Sequence, residues 1–292
     1  MKIKITVLLI CFVLVSSCAS FFSAINYSPA QKVKTISFSE SVPNKNFYFI
    51  YPDTSQNDYL RTLRQDYKLD SIAGAQSSEF GKITALLEWS GSQWQHNGGN
   101  TPSSPDPLTI LQEAEAGNQF RCVEYGILAA AALNSVGIPA RVLGLKARDV
   151  AKVKSGAAHV VTEVYSREFD KWIFIDPQFN ILPTKNDIPL NAIEFQSAIV
   201  NDKKQINLVN SEADIESDFE ANYIKWIGKY LYFFDVCFDQ SVGKELELKG
   251  FTGKTKLMLV PVDESNPTIF QRKYKINYCL YTNSVNDFYR KP

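Results

Sequence analysis

The chain is poor in the residues that metal-dependent and charge-driven functions use. Its 292 residues include two histidines and no Cys-x-x-Cys pair, whereas a zinc site draws its ligands largely from those residue types at close spacing. No metal and no other cofactor is therefore expected. Charge of one sign is also lacking, since 31 Lys and Arg face 31 Asp and Glu; a chain without a basic excess has no electrostatic footprint for nucleic acid. There is no Gly-x-Ser-x-Gly, the strained turn that presents a serine nucleophile. The stretch Gly250 to Thr255 carries Leu248 where a phosphate loop needs glycine, so a turn is expected there. After the first seventeen residues no apolar run approaches the about 20 residues of a membrane span. What is present is 45% hydrophobic and 21% charged, enough for one sizeable core or for a core with an appended lobe.

The N-terminus has a pattern of its own. Lys2 and Lys4 precede an apolar run from Ile5 to Val15, followed by Ser16, Ser17 and Cys18. A positive start, a short apolar stretch and small residues make a secretory signal. Its ending resembles a bacterial lipobox, in which the cysteine becomes the acylated first residue. The alternative is an ordinary signal peptide cleaved nearby, with Cys18 incidental. Residues 1–17 are read as the signal and 18–56 as a tether, giving an exported, cell-envelope protein that touches the membrane through this anchor only. Without residues 1–17, 29 basic side chains face 31 acidic ones. Of five cysteines, Cys122, Cys237 and Cys279 then remain. In an oxidising compartment Cys237 and Cys279 either pair, leaving Cys122 as the free thiol, or sit as small buried hydrophobes.

Apolar spacing predicts helices over 58–67, 77–96, 108–116 and 122–136. Asp106 and Pro107 open the third. The last has almost no polar face and should be buried on most sides. Strands follow at 140–145, 159–165 and 171–176. Further on, helices are expected over 190–200 and 214–223, an aromatic-rich helix-to-strand stretch over 224–239, and strands over 256–260 and 273–281. The core is placed at 57–185, and residues 186–292 either extend the sheet or form a small accessory lobe.

Three residues carry the chemistry. Cys122 opens the buried helix, His159 opens the strand HVVTEVY, and Asp176 closes KWIFID. If the hairpin turn centres on Arg167 and Glu168, Val161 faces Phe174, Glu163 faces Trp172 and His159 faces Asp176. The ring and the carboxylate then share one face, with Cβ atoms within about 5.5 Å. That face, studded with polar residues, is expected to front a cleft, while Val160, Thr162, Val164, Ile173 and Ile175 cover the core side. A thiol at a helix N-terminus meets unpaired N–H groups and the positive end of the helix dipole, which lower its pKa. An imidazole held by a carboxylate completes a nucleophile, base and orienter set. An oxyanion formed on attack needs a second donor, and Trp94, Gln93 or His96, upstream, are the candidates.

The segments CVEYG…GIPARVLGL, the run from Gly156 to Tyr165 and KWIFIDPQFN together resemble the transglutaminase-like core of the papain-like cysteine enzymes. The resemblance spans about 77–182. It implies an α+β fold in which a central helix carrying the cysteine packs on an antiparallel sheet. It implies Cys122 as nucleophile, His159 as general base and acid, Asp176 as orienter, and an upstream donor, Trp94 first and Gln93 second. It further implies acyl transfer from an amide of a peptide or protein substrate, through a thioester, to water or to an amine. Arg121 and Val123 stand where animal transglutaminases carry Gln and Trp, so hydrolysis stands beside cross-linking. A lipoprotein that keeps this fold and only binds a peptide or glycan is the alternative from another class.

Overall fold

The computed structural model describes residues 33–52, 57–211, 215–241 and 253–292. Cys18, the signal and the first part of the tether lie outside the described residues.

Helices α1 (Asp58–Asp66), α2 (Leu69–Gly74), α3 (Glu79–Ser92) and α4 (Pro107–Glu115) surround α5 (Cys122–Ser135). Their starts follow from local chemistry. Side-chain oxygens of Asn57, Ser78 and Asp106 accept the backbone N–H of Leu60, Gly81 and Thr109, satisfying donors that have no partner within the helix. Helix α5 is apolar on nearly every side, and Leu128, Ala129, Ala131, Ala132 and Leu133 are buried. It ends at Gly137, whose φ of 82° is a conformation open to glycine at low cost. The N–H of Ile138 then closes on the Leu133 carbonyl at 3.0 Å.

Strands β1 (Ala140–Lys146), β2 (Ala158–Ser166) and β3 (Lys171–Ile175) form one half of a six-stranded sheet ordered β11-β8-β7-β1-β2-β3. The C-terminal part supplies the other half: β7 (Phe233–Cys237), β8 (Lys256–Leu259) and β11 (Cys279–Thr282). All pairs are antiparallel except β8 with β11. One sheet therefore runs across the boundary expected at residue 185. The expected strand at 273–281 is broken. Tyr274–Lys275 (β10) pairs only with Ile269–Phe270 (β9) in a hairpin, and Ile276 turns to bond Thr268 before β11 joins the main sheet.

Both faces of the sheet are covered, because its alternation is apolar on each side. Val164, Ile173 and Ile175 pack against α1 to α5. Leu143, Leu145, Val161 and Phe174 pack against α6 (Ala192–Asn201) and α7 (Ser217–Ile227). The open cleft expected in front of Glu163 is thus replaced by a second core layer. A small sheet of β4 (Leu182–Lys185), β5 (Ile188–Pro189) and β6 (Ile206–Val209), and a last helical turn α8 (Val285–Phe288), complete the fold.

One further expectation is corrected, and one alternative is resolved. Residues 33–52 are no tether: Ser39 bonds Asn283 at 2.8 Å, Ile50 bonds Phe238 at 2.7 Å, and Phe49 stacks on Phe238. Cys237 and Cys279 are both free. Each lies opposite Lys256, one from either side. Two strand spacings of about 4.8 Å then separate them, more than the about 7 Å that a disulfide spans between Cα atoms.

Candidate active site

Cys122 is the first residue of α5, with Arg121 as its N-cap. The buried Glu124 carboxylate reaches back to the Arg121 N–H at 3.0 Å and is paired by the Arg121 guanidinium at 2.6 Å. This anchors the helix start, and the guanidinium offsets a negative charge one turn from the thiol. Close approach of α5 to β2 depends on Gly126. A Cβ there would meet Val160 Cγ1 at 3.0 Å and the Val161 carbonyl at 3.1 Å, and Thr162 Oγ1 donates to the Gly126 carbonyl at 3.0 Å.

The hairpin register differs from expectation by two residues. Glu163 faces Phe174 and Tyr165 faces Trp172, because the turn takes in Arg167 to Asp170, with Asp170 at φ 52°. A shift of two preserves the pleat, whereas a shift of one would reverse it. His159 and Asp176 therefore stay on one face as diagonal neighbours, with Nε2 and Oδ2 2.7 Å apart. Strand β3 ends at Ile175, opposite Thr162, so β2 is uncovered on that side before Thr162. There the His159 ring and the Val160 N–H lie near enough to the Cys122 sulfur to favour its anion. With Nε2 on Asp176, Nδ1 is the ring nitrogen left for the thiol.

Electrostatics follow from this packing. Burial opposes the Cys122 thiolate, but the His159 hydrogen bond and charge and the Val160 N–H outweigh it and lower the thiol below its ordinary value. Burial likewise opposes the imidazolium of His159. The Asp176 charge and hydrogen bond, with Cys122 adding to them, overcome it and raise the ring to about 10. Both shifts favour an anionic sulfur beside a cationic ring. Asp176 is fully buried; its Oδ1 accepts the Gln178 N–H at 3.2 Å and its Oδ2 also accepts the Tyr223 hydroxyl at 2.7 Å.

Helix α3 stops at Ser92, short of the expected end at His96. The chain from Gln93 to His96 runs as a loop, and the Asn97 N–H bonds the Phe120 carbonyl at 2.8 Å. This ties the loop to the residue just ahead of Arg121 and α5, and the three upstream candidates differ in what they offer. Trp94 is buried against Tyr125 and Phe120, and its indole N–H has no hydrogen-bond partner among the described residues. Gln93 spends its amide N–H on the Trp89 carbonyl at 2.7 Å. His96 is exposed; desolvation and the charge of His159 hold it below its ordinary value. A Cβ on Gly91 would meet the Pro177 carbonyl at 2.6 Å, so α3 presses directly on the residue after Asp176.

Sequence reasoning missed the wall on the far side of His159. Trp226 meets the ring edge-on at 4.9 Å, and Phe179 and Tyr230 lie at 6.2 Å. Tyr223, Trp226 and Tyr230 come from α7 and the turn after it. Trp226 and Tyr230 fall in the aromatic-rich stretch over 224–239, which reads equally well as core, and Tyr223 closes the helix expected over 214–223 with no signal of a site. Among the described residues no group of three His, Cys, Asp or Glu is placed to hold a metal ion, and no helix is long and apolar enough to cross a membrane.

Residues 67–177 match the family model described as the transglutaminase-like superfamily. Comparison with curated proteins gives no match. Among solved structures, the chain is similar to a protein described as a candidate cysteine protease from Cytophaga hutchinsonii, at 15% identity and a TM-score of 0.33, with 56% of each chain covered. It is also similar to the periplasmic domain of TgpA from Pseudomonas aeruginosa, at 18% identity and a TM-score of 0.32, covering 44% of this chain and 51% of that one. A third is red sea bream transglutaminase, at 13% identity and a TM-score of 0.31, covering 59% and 31%. The chain thus spans little more than half the length of the first of these.

Proposed function

We propose that this chain, which carries a transglutaminase-like core over residues 67–177, is a cysteine enzyme that opens an amide through a thioester on Cys122. The observation that supports the reading is the buried His159 ring, bonded to the buried Asp176 carboxylate at 2.7 Å and close enough to Cys122 that each favours the charged form of the other. The thiolate attacks the carbonyl carbon of a peptide or side-chain amide. The oxygen takes up negative charge at the helix N-terminus, and the Trp94 indole N–H, buried and without a partner among the described residues, is the candidate side-chain donor to it. His159 gives its proton to the departing nitrogen, and the C–N bond breaks to leave the acyl group on sulfur. Water or a primary amine then attacks the thioester while His159 takes up its proton, and the thiolate leaves. Asp176 keeps the ring oriented and stabilises its charge throughout.

The sign of the pH dependence follows from the two shifts. An anionic sulfur persists at pH values where an ordinary thiol is protonated, so alkylation of Cys122 by iodoacetamide is expected to begin its rise at lower pH than that of an ordinary thiol. In an ordinary thiol the rate climbs through about 8.5. Cys122→Ser removes both the labelling and any turnover of a Gln-containing peptide library. Mass spectrometry with and without a fluorescent primary amine reads the acceptor. A single ordinary thiol titration, with no turnover, would sink the enzyme and leave a binding protein. Export and membrane attachment through an acylated Cys18 belong to the same proposal. Cys18→Ser is expected to move the protein from the membrane fraction to the soluble fraction, and continued membrane retention would refute the anchor.

A further inference from the structure

The residues after the matched core pack on the site as well as on the sheet. Helix α7 begins forty residues beyond residue 177, yet its Tyr223 is fully buried and its hydroxyl reaches Asp176 Oδ2 at 2.7 Å. His159 Nε2 uses that same oxygen, also at 2.7 Å. Burial and the Asp176 charge push the Tyr223 phenol well above its ordinary value, so it stays protonated and acts as a donor. The ring is seated by Phe179 at 5.2 Å, Trp226 at 5.8 Å and Phe219 at 6.2 Å, which aims the hydroxyl at the carboxylate.

We infer that Tyr223 is a positioning residue for the His159–Asp176 pair, and that the site is incomplete without the C-terminal part of the chain. The inference rests on the reading of Cys122 and His159 as the reacting groups. Three bonds hold the Asp176 carboxylate: the Gln178 N–H on Oδ1, and Tyr223 and His159 together on Oδ2. A carboxylate with one oxygen shared between two donors can neither rotate nor place its whole charge on the imidazolium. Tyr223 therefore both fixes the direction of the carboxylate and moderates its pull on the His159 proton. That moderation is what a ring alternating between base and acid needs, because an imidazolium held too tightly gives up its proton slowly.

The groups facing His159 are few. Cys122 approaches from α5, Asp176 from the end of β3, and Trp226 and Tyr230 from α7 and the turn after it; Tyr223 acts through Asp176. His96 senses both His159 and Asp176 from the loop, and Tyr125 senses Asp176 from α5. With two histidines in the sequence, an untagged full chain gives two ring signals, and His96→Asn assigns them.

The test is a ring-carbon NMR titration of wild type, Tyr223→Phe and Tyr289→Phe. Tyr223→Phe keeps the ring packing and removes only the donor. The His159 midpoint is expected to rise by about half a unit to one unit, a three- to tenfold gain in proton affinity. The low-field Nε2–H proton resonance should move with it. Tyr289→Phe removes a buried tyrosine hydroxyl from a different carboxylate, Glu163, and should leave both readings in place. A His159 midpoint in Tyr223→Phe that stays within about 0.2 units of wild type, or falls, overturns the proposal. If instead wild-type His159 titrates near 6.5 and Cys122 alkylates as an ordinary thiol, the reading of the reacting pair has failed, and this inference with it.

Discussion

Asp176→Asn is expected to reduce turnover by about 10³- to 10⁴-fold while the protein remains folded. Losses of that size follow when the orienting carboxylate of a triad becomes an amide. The physical cause here is specific. Asp176 Oδ2 accepts from both His159 Nε2 and Tyr223, and an amide nitrogen turned toward that position would oppose two donors with a third. An amide oxygen in the same place still accepts, but it carries no charge to hold the imidazolium. With the carboxylate gone, burial, the largest influence on His159, is opposed only by Cys122, and the pKa moves from about 10 to below the ordinary value of about 6.5. The cation beside Cys122 disappears at neutral pH, and the thiol titrates upward with it.

Stability follows the same sign. In wild type the folded pKa of His159 lies above the unfolded one. Its contribution is therefore fully present below about pH 6.5 and is lost as pH rises through about 10. In Asp176→Asn the folded value lies below the unfolded one, so the variant should lose stability as the pH falls below about 6.5. Denaturant midpoints at pH 5, 7 and 9, with kcat measured alongside, check both halves. An Asp176→Asn variant with near wild-type turnover, or with an unchanged pH profile of stability, would show that the carboxylate does not govern this ring.

Arg141→Met is expected to destabilise the fold by about 3–5 kcal/mol, the usual consequence of removing one partner of a buried ion pair. Arg141 and Glu163 are both fully buried and face each other across β1 and β2 at 2.7 Å. The guanidinium lies over the Trp172 ring at 4.2 Å and donates to the Phe288 carbonyl at 2.8 Å. Glu163 in turn accepts the Ala192 N–H at 3.2 Å and the Tyr289 hydroxyl at 2.8 Å. One pair thus joins two strands, the start of α6 and the C-terminal residues. Its loss leaves a carboxylate with no counter-charge inside a core, in a class of molecules whose total stability is about 5–15 kcal/mol. Arg141→Met with Glu163→Leu should recover part of the deficit, because two apolar groups carry no desolvation penalty. Urea midpoints of the two variants decide it, and a double variant less stable than the single one would count against a penalty of unpaired charge.

Much of the site is legible in the residue order alone. Cys122 to Ser135 announces itself by an apolar stretch too continuous for a surface helix and by the Gly-Ile-Pro that ends it. β2 and β3 are visible as alternation, and the pairing of His159 with Asp176 survives an incorrect register because parity, not the exact offset, puts them on one face. The offset itself is not legible. Turn length depends on whether Asp170 takes a left-handed conformation, where its exposed carboxylate meets the Tyr165 hydroxyl and Lys291 from near the end of the chain. Glu163 reads as the rim of a cleft because its partner Arg141 is 22 residues away and the helices that bury both come later in the chain.

The amino-acid order by itself determined which side chains are able to react and which strand face they occupy, since both follow from residue type and a period of two. Only the tertiary structure decided what lies against them. That Tyr223 meets a carboxylate 47 residues earlier, and that the C-terminal strands extend the sheet that carries His159, depends on contacts between distant segments. No local propensity encodes such contacts, because their free energy arises only when the whole core closes.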